Sequence, residues 1–221
     1  LRRNFDINIL LFNNEIYGLT KGQYSPTSEL GKYTKSSPLG SIDHPFNPLA
    51  LALGADATFV ARTMDRDPIH MRDVLKQAEE HKGTSFVEIY QNCNVFNDGA
   101  FEQYTDKKQK PDHVINLVEG EPLTFANGEK SVQLNCGKPE FVASSADQIQ
   151  PWIHDPKDPM KAYALSRMFD SDTPRPFGVF YKEDRFTYEE AMQNQIKQAR
   201  EIQGEGELDS LIRGKNSWVV E

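Results

Sequence analysis

Between residues 47 and 91 the chain repeats one pattern. "NPLALALGADATFVAR" opens with Asn47 as a cap and Pro48 at the first helical position, and Gly54 stops the helix before the apolar run Ala57–Arg62. "DPIHMRDVLKQAEEHKGTSFVEIYQ" then offers Asp67 as cap, Pro68 in the first turn and Met71, Val74, Leu75 and Ala78 at helical spacing, with Gly83 as the stop before another apolar run. Each signal has a physical cause: a cap oxygen accepts orphan amides, proline fits the first turn, and glycine ends the last one. Upstream, "INILLF" (7–12) is continuously apolar, which suits a strand covered on both faces. Strand, helix, strand, helix, strand winds right-handed crossovers. The expectation for residues 7–91 is an α/β fold, a mostly parallel sheet with helices on both faces.

Beyond Cys93 the pattern changes. Residues 104–113 are polar and lysine-bearing, and "PLTFANGEKSVQL" reads as a hairpin turning at Asn127-Gly128. "DPMKAYALSRMF" reads as a short helix, "PFGVFYK" as an edge strand and residues 187–203 as an exposed polar helix. The tail from Gly204 has few apolar anchors and is expected to lie on a partner or to move. The division is therefore 1–103, a sheet domain, and 104–221, a partner-contacting extension.

Bulk properties exclude several classes. With 221 residues, 38% hydrophobic, the chain can bury a core, and its net charge of -8 without a dense basic patch argues against nucleic acid. No run reaches the roughly 20 apolar residues of a membrane helix. The start "LRRNFDINILLF" only faintly mimics a signal peptide, since Asp6, Asn8 and Asn13 break or bound it. Two cysteines, Cys93 and Cys136, fit a reducing compartment, so the expected location is the cytoplasm.

The segment from Asn13 to Asp43 has no sustained period, and loops that long in compact domains tend to carry function. It begins "NNEIYGLTKGQYSPTS". On its own the Asn13-Asn14 pair reads as a turn, because Asn tolerates left-handed backbone. The other reading is a neutral oxygen ligand for Mg²⁺ at the carboxyl end of a strand, where α/β sheets bind ligands.

"FNNEIYGLTKGQYSPTS" resembles the diphosphate-binding loop in the β subunit of the 2-oxoacid:ferredoxin oxidoreductases, which are thiamine-diphosphate enzymes. "HPFNPLALALGADATFVAR", "HKGTSFVEIYQNCNVFNDGAF" and "IHDPKDPMKAYALSRM" with "TPRPFGVFYKEDRFTYEEAM" extend the resemblance, in order, across nearly the whole chain. The 2-oxoglutarate type is the most similar form. The resemblance implies that Asn14 supplies a side-chain oxygen and Ile16 a carbonyl to Mg²⁺. Gly18, Leu19 and Thr20 would lie against the cofactor, with Leu19 and Lys21 at its reacting end and Gln23 beside Lys21 on the substrate side.

Cys93, in "QNCNVFND", has two readings: a small buried hydrophobe, or, by the resemblance, the fourth thiolate of a 4Fe-4S cluster. Cys136 has no such context and is taken as structural. The family's Gly-Asp-Gly and N-terminal cysteines have no counterpart in these 221 residues. The chain is thus expected to correspond to the C-terminal two-thirds of such a subunit, with incomplete metal sites and no turnover by itself. The implied reaction is oxidative decarboxylation of a 2-oxoacid, 2-oxoglutarate first, to its acyl-CoA. The implied partners are an α subunit, CoA and ferredoxin. Pyruvate or branched-chain or aryl 2-oxoacids are alternative substrates, and a non-catalytic interaction subunit is the alternative class.

The histidines add little. His44 borders the long loop, His70 lies in a first helical turn, His113 and His154 read as loop residues, and His81 sits near a helix end, where a cation suits the dipole. No histidine metal spacing, nucleophile elbow or P-loop occurs.

Overall fold

The structure, a computed structural model, describes residues 1–169, 173–214 and 218. Its centre is a five-stranded sheet. β1 (Asn8–Asn13) is followed by a short hairpin of β2 (Ile16–Tyr17) and β3 (Gln23–Tyr24), then α1 (Pro48–Gly54), β4 (Phe59–Met64), α2 (Pro68–Glu80) and β5 (Ser85–Tyr90). Later come α3 (Glu102–Thr105), α4 (Lys110–His113), β6 (Val114–Leu117), β7 (Thr124–Phe125), β8 (Lys130–Asn135) and β9 (Lys138–Ala143). The last elements are α5 (Pro159–Ser166), β10 (Arg175–Lys182), α6 (Tyr188–Gln203) and α7 (Leu208–Arg213).

The sheet order is β1-β5-β4-β10-β6. The first three strands are parallel, β10 runs against β4, and β6 runs with β10. The caps act as the sequence requires: Asn47 accepts from the Ala50 amide and Asp67 from the His70 amide, each with proline next in the chain. Because successive strand residues point to opposite faces, β4 feeds two cores. Val60 joins Leu49 of α1, Leu165 of α5 and Phe180, whereas Phe59 and Ala61 join Val74 and Ala78 of α2. The mostly parallel sheet with helices on both faces is thus observed.

Two strand assignments need correcting. β10, read as an edge, lies inside the sheet between β4 and β6, and its first six residues are buried. Gly178 makes this possible: it has φ +127°, and a Cβ there would meet Leu117 of β6 at 2.9 Å. β6 itself was not expected. β1, read as covered on both faces, ends the sheet and among the described residues pairs with β5 alone. Leu10 is 42% and Phe12 59% exposed, beside Val87 and Ile89 of β5, which pack against α2. An apolar run signals a capacity for burial; it does not say that the cover is present.

In the second half, β7, β8 and β9 form an antiparallel sheet, with Asn127 and Gly128 at positive φ in the β7–β8 turn, as the sequence predicted. Its residues Phe125 and Val132, with Trp152, pack into the same core as α1. α6 begins with a capping box between Thr187 and Glu190, and none of its residues is buried. Among the described residues no helix is long and apolar enough to cross a membrane.

His81 departs from expectation. Its ring is buried, Nε2 lies 2.9 Å from the Thr58 hydroxyl, and that hydroxyl donates to Asn4 Oδ1 at 2.6 Å. With its one proton spent on Asn4, the hydroxyl accepts from Nε2–H, and Nδ1 is left without a partner. Burial lowers the proton affinity of the ring below its ordinary value, so desolvation outweighs the helix dipole.

Two outcomes follow. Phe180→Ala should lower unfolding free energy by about 3–5 kcal/mol in urea titration, whereas Ile196→Ala on α6 should stay within about 0.5 kcal/mol. Below the unfolded value of 6.5 for histidine the unfolded chain takes up a proton that folded His81 refuses. His81 therefore removes stability as pH drops from 7.5 to 5.5, and over that range the urea midpoint of wild type should fall relative to that of His81→Gln.

Candidate cofactor site

β1, β5 and β4 all end at the same edge, and β1 delivers its last residue, Asn13, into the protein there. Both ends of the Asn13 carboxamide are engaged. Its Nδ2 donates to Glu88 Oε1 at 2.9 Å, and its Oδ1 accepts from the Glu15 amide at 3.1 Å and from the Thr27 hydroxyl at 2.7 Å. Glu15 has φ +54°, and its carbonyl accepts from the Ser28 hydroxyl. Asn14 presents its carbonyl to Asn97 Nδ2 at 2.9 Å, and its side-chain oxygen accepts from the Ile16 amide at 3.2 Å.

The hairpin that follows is narrow. Ile16 pairs with Tyr24 and Tyr17 with Gln23, and the Gly22 amide donates to the Tyr17 carbonyl. Lys21 (φ +64°) and Gly22 (φ +96°) form the left-handed corner. A Cβ on Gly22 would come 3.1 Å from the Phe96 ring, a tight contact that adds to the left-handed backbone favouring glycine here. Leu19 at the tip is fully exposed, and Thr20 and Lys21 are exposed beside it.

Clefts lie on two sides of the loop. One, of about 560 Å³, is lined by Lys21, Gly22, Tyr33, Lys35, Val95 and Phe96. The other, of about 680 Å³, includes Glu15, Thr27, His44, Arg167 and Arg175. Arg175 is buried, donating Nη1 to the Tyr90 hydroxyl at 2.6 Å and Nη2 to the Phe169 carbonyl at 2.7 Å. Glu15 is pushed up to about 7, chiefly by burial, with Arg175 opposing and Glu88 and Glu29 reinforcing.

The expected residues fall into three groups. Asn14 and Ile16 stand at the base of the hairpin, and Gly18 opens its turn. Leu19, Thr20, Lys21 and Gln23 are the exposed outer part. Cys93 is half-buried beyond β5, and its carbonyl accepts from the amide of Asn97, the residue that also grips Asn14. Both readings of Asn14 are compatible: one acceptor site of its oxygen closes the turn and the second is left over. The oxygen-only donors at this loop suit Mg²⁺ and leave coordination to be completed by other groups. Among the described residues no cluster of three histidine, cysteine or acidic side chains could hold a metal. Cys136 lies exposed in the β8–β9 turn.

Sequence reasoning missed the supports beneath the loop. Arg62 Nε lies 2.8 Å from Glu88 Oε2, and both side chains are fully buried. The signal was there: opposite charges inside two apolar strands, at positions that the β4–β5 register places side by side.

Comparison with known proteins shows what the chain is similar to. Residues 1–89 match the family described as thiamine pyrophosphate enzyme, C-terminal TPP binding domain. The 2-oxoglutarate oxidoreductase subunit KorB of Mycobacterium tuberculosis is 47% identical over 229 aligned residues, which cover 100% of this chain and 61% of that protein. This chain is a homologue of the β subunits of 2-oxoacid:ferredoxin oxidoreductases. Subunit beta of 2-oxoacid:ferredoxin oxidoreductase 1 from Aeropyrum pernix is 33% identical, covering 86% of this chain and 51% of that one. The solved 2-oxoglutarate:ferredoxin oxidoreductase from Magnetococcus marinus, with 2-oxoglutarate, coenzyme A and succinyl-CoA bound, superposes with a TM-score of 0.66 at 27% identity. That match covers 96% of this chain and 58% of the other. The chain thus spans about half to three-fifths of the length of the relatives it matches.

Replacing Gly22 by alanine should cost about 1–2 kcal/mol, because it combines positive φ with the Phe96 contact. Gly54→Ala, in open space at the end of α1, should not destabilise; urea midpoints compare the two.

Proposed function

We propose that this chain is the cofactor-holding part of a 2-oxoacid:ferredoxin oxidoreductase β subunit, acting on 2-oxoglutarate with thiamine diphosphate, Mg²⁺ and CoA. One observation carries the reading: the Asn14–Gln23 hairpin stands at the carboxyl edge of parallel strands in a chain whose whole length is 47% identical to part of a KorB subunit. Thiamine diphosphate, when bound, supplies the carbanion chemistry by which a 2-oxoacid loses CO₂.

The chain's own residues have the following parts. Asn14 Oδ1 and the Ile16 carbonyl offer oxygens to Mg²⁺, and Gly18 permits close backbone approach to the diphosphate. Leu19 and Thr20 flank the cofactor. Lys21 attracts the substrate carboxylate, and Lys35, lining the same cleft, gives a second cation for a dicarboxylate. That second cation favours 2-oxoglutarate over pyruvate. Cys93 would contribute one thiolate to a 4Fe-4S cluster whose other ligands would come from cysteines outside these 221 residues, and such a cluster supplies single-electron transfer toward ferredoxin. An α subunit covers the exposed hairpin tip and α6, and the assembly works in the cytoplasm.

Calorimetric titration of the assembled enzyme with thiamine diphosphate and Mg²⁺ tests the reading. Asn14→Ala should weaken cofactor binding at least tenfold, and Lys35→Ala should raise KM for 2-oxoglutarate more than for pyruvate. Cofactor affinity indifferent to Asn14 would leave only its turn role.

A further inference from the structure

The hairpin is suspended from a side chain that touches no ligand in the proposed site. A carboxamide is nearly symmetric in shape, so its partners decide which end faces which way. Asn13 is buried, with Nδ2 on Glu88 and Oδ1 on the Glu15 amide and the Thr27 hydroxyl. A carboxylate only accepts. Glu88 therefore claims the nitrogen end of Asn13 and turns the oxygen toward the loop. Glu88 is itself fixed by Arg62 at 2.8 Å. Arg62 in turn donates Nη1 to the Pro176 carbonyl at 3.3 Å and lies 5.4 Å from the Phe180 ring.

A fully buried ion pair is a poor device for stability, since apolar residues of similar volume often do as well. Its geometry is better explained by what it aims. The chain of contacts runs Arg62, Glu88, Asn13, then the Glu15 amide, which lies between Asn14 and Ile16. The left-handed backbone at Glu15 is held at its amide by Asn13 and at its carbonyl by Ser28.

We propose that Glu88, paired with Arg62, is a positioning residue: through the Asn13 carboxamide it sets the backbone from which Asn14 and Ile16 present oxygens to the metal. This rests on the cofactor reading above.

The test is a Mg²⁺ titration of the holoenzyme at fixed thiamine diphosphate, followed by calorimetry alongside thermal unfolding. Glu88→Gln lets two amides face each other and loses the directional cue, and it should raise half-saturating Mg²⁺ about tenfold. The double variant Glu88→Gln/Asn13→Asp reverses donor and acceptor across the same contact and should return Mg²⁺ demand to within about threefold of wild type. If Glu88→Gln does not assemble, Thr27→Val, which removes a donor to the same Asn13 oxygen without touching the ion pair, should show a raised Mg²⁺ demand. Unchanged Mg²⁺ demand in Glu88→Gln or, failing its assembly, in Thr27→Val, while Asn14→Ala is shifted, overturns this proposal and leaves the cofactor reading standing. Wild-type enzyme without Mg²⁺-dependent cofactor binding overturns both.

Discussion

Two charges meeting without water determine much of this molecule. Arg62 and Glu88 are neighbours across the β4–β5 pairing, and each would be costly to bury without the other. Their contact fixes the register of the two central parallel strands and reaches outward in both directions. On one side Arg62 binds the Pro176 carbonyl and so ties in β10. On the other Glu88 binds Asn13 and so ties in the end of β1. The strand that closes the core and the loop that would bind the cofactor thus share one anchor.

The polar layer continues above that anchor. Tyr90, two residues after Glu88, stacks on Phe101 at 4.5 Å and accepts from Arg175, which also lies 4.5 Å from the Phe169 ring. Aromatic faces surround these cations and replace part of the hydration they lose. The carboxyl edge of the sheet is therefore charged and held by many contacts, which suits the proposed role of the loop in holding anionic groups and a metal.

The elements legible in the sequence were those specified locally. α1 and α2 carry their own caps, prolines and stops, and β4 and β5 follow them within a few residues. The hairpin turn at Asn127-Gly128 needed only its dipeptide. β6 and β10 were not legible in this way, because their placement depends on pairing between residues about sixty apart in the chain. Pro176 invites an edge reading, since it cannot donate to a ladder, and only the fold shows that its carbonyl is needed by Arg62. In the site, Asn14 and the glycine-bearing hairpin stood out by composition. The supports did not: Asn13 seemed a second copy of Asn14, and Glu88 one acidic residue in an apolar strand. Their roles arise from side-chain direction, which alternation along β1 and β5 settles once the register is known.

β1 has a wider consequence. Its outer row of amides and carbonyls faces no neighbour among the described residues, and Phe12 stands in solvent next to that row. Such a border is a template for any extended peptide that reaches it. Left uncovered, this border is the place where edge-to-edge pairing between copies would begin, with the interior of each copy still intact.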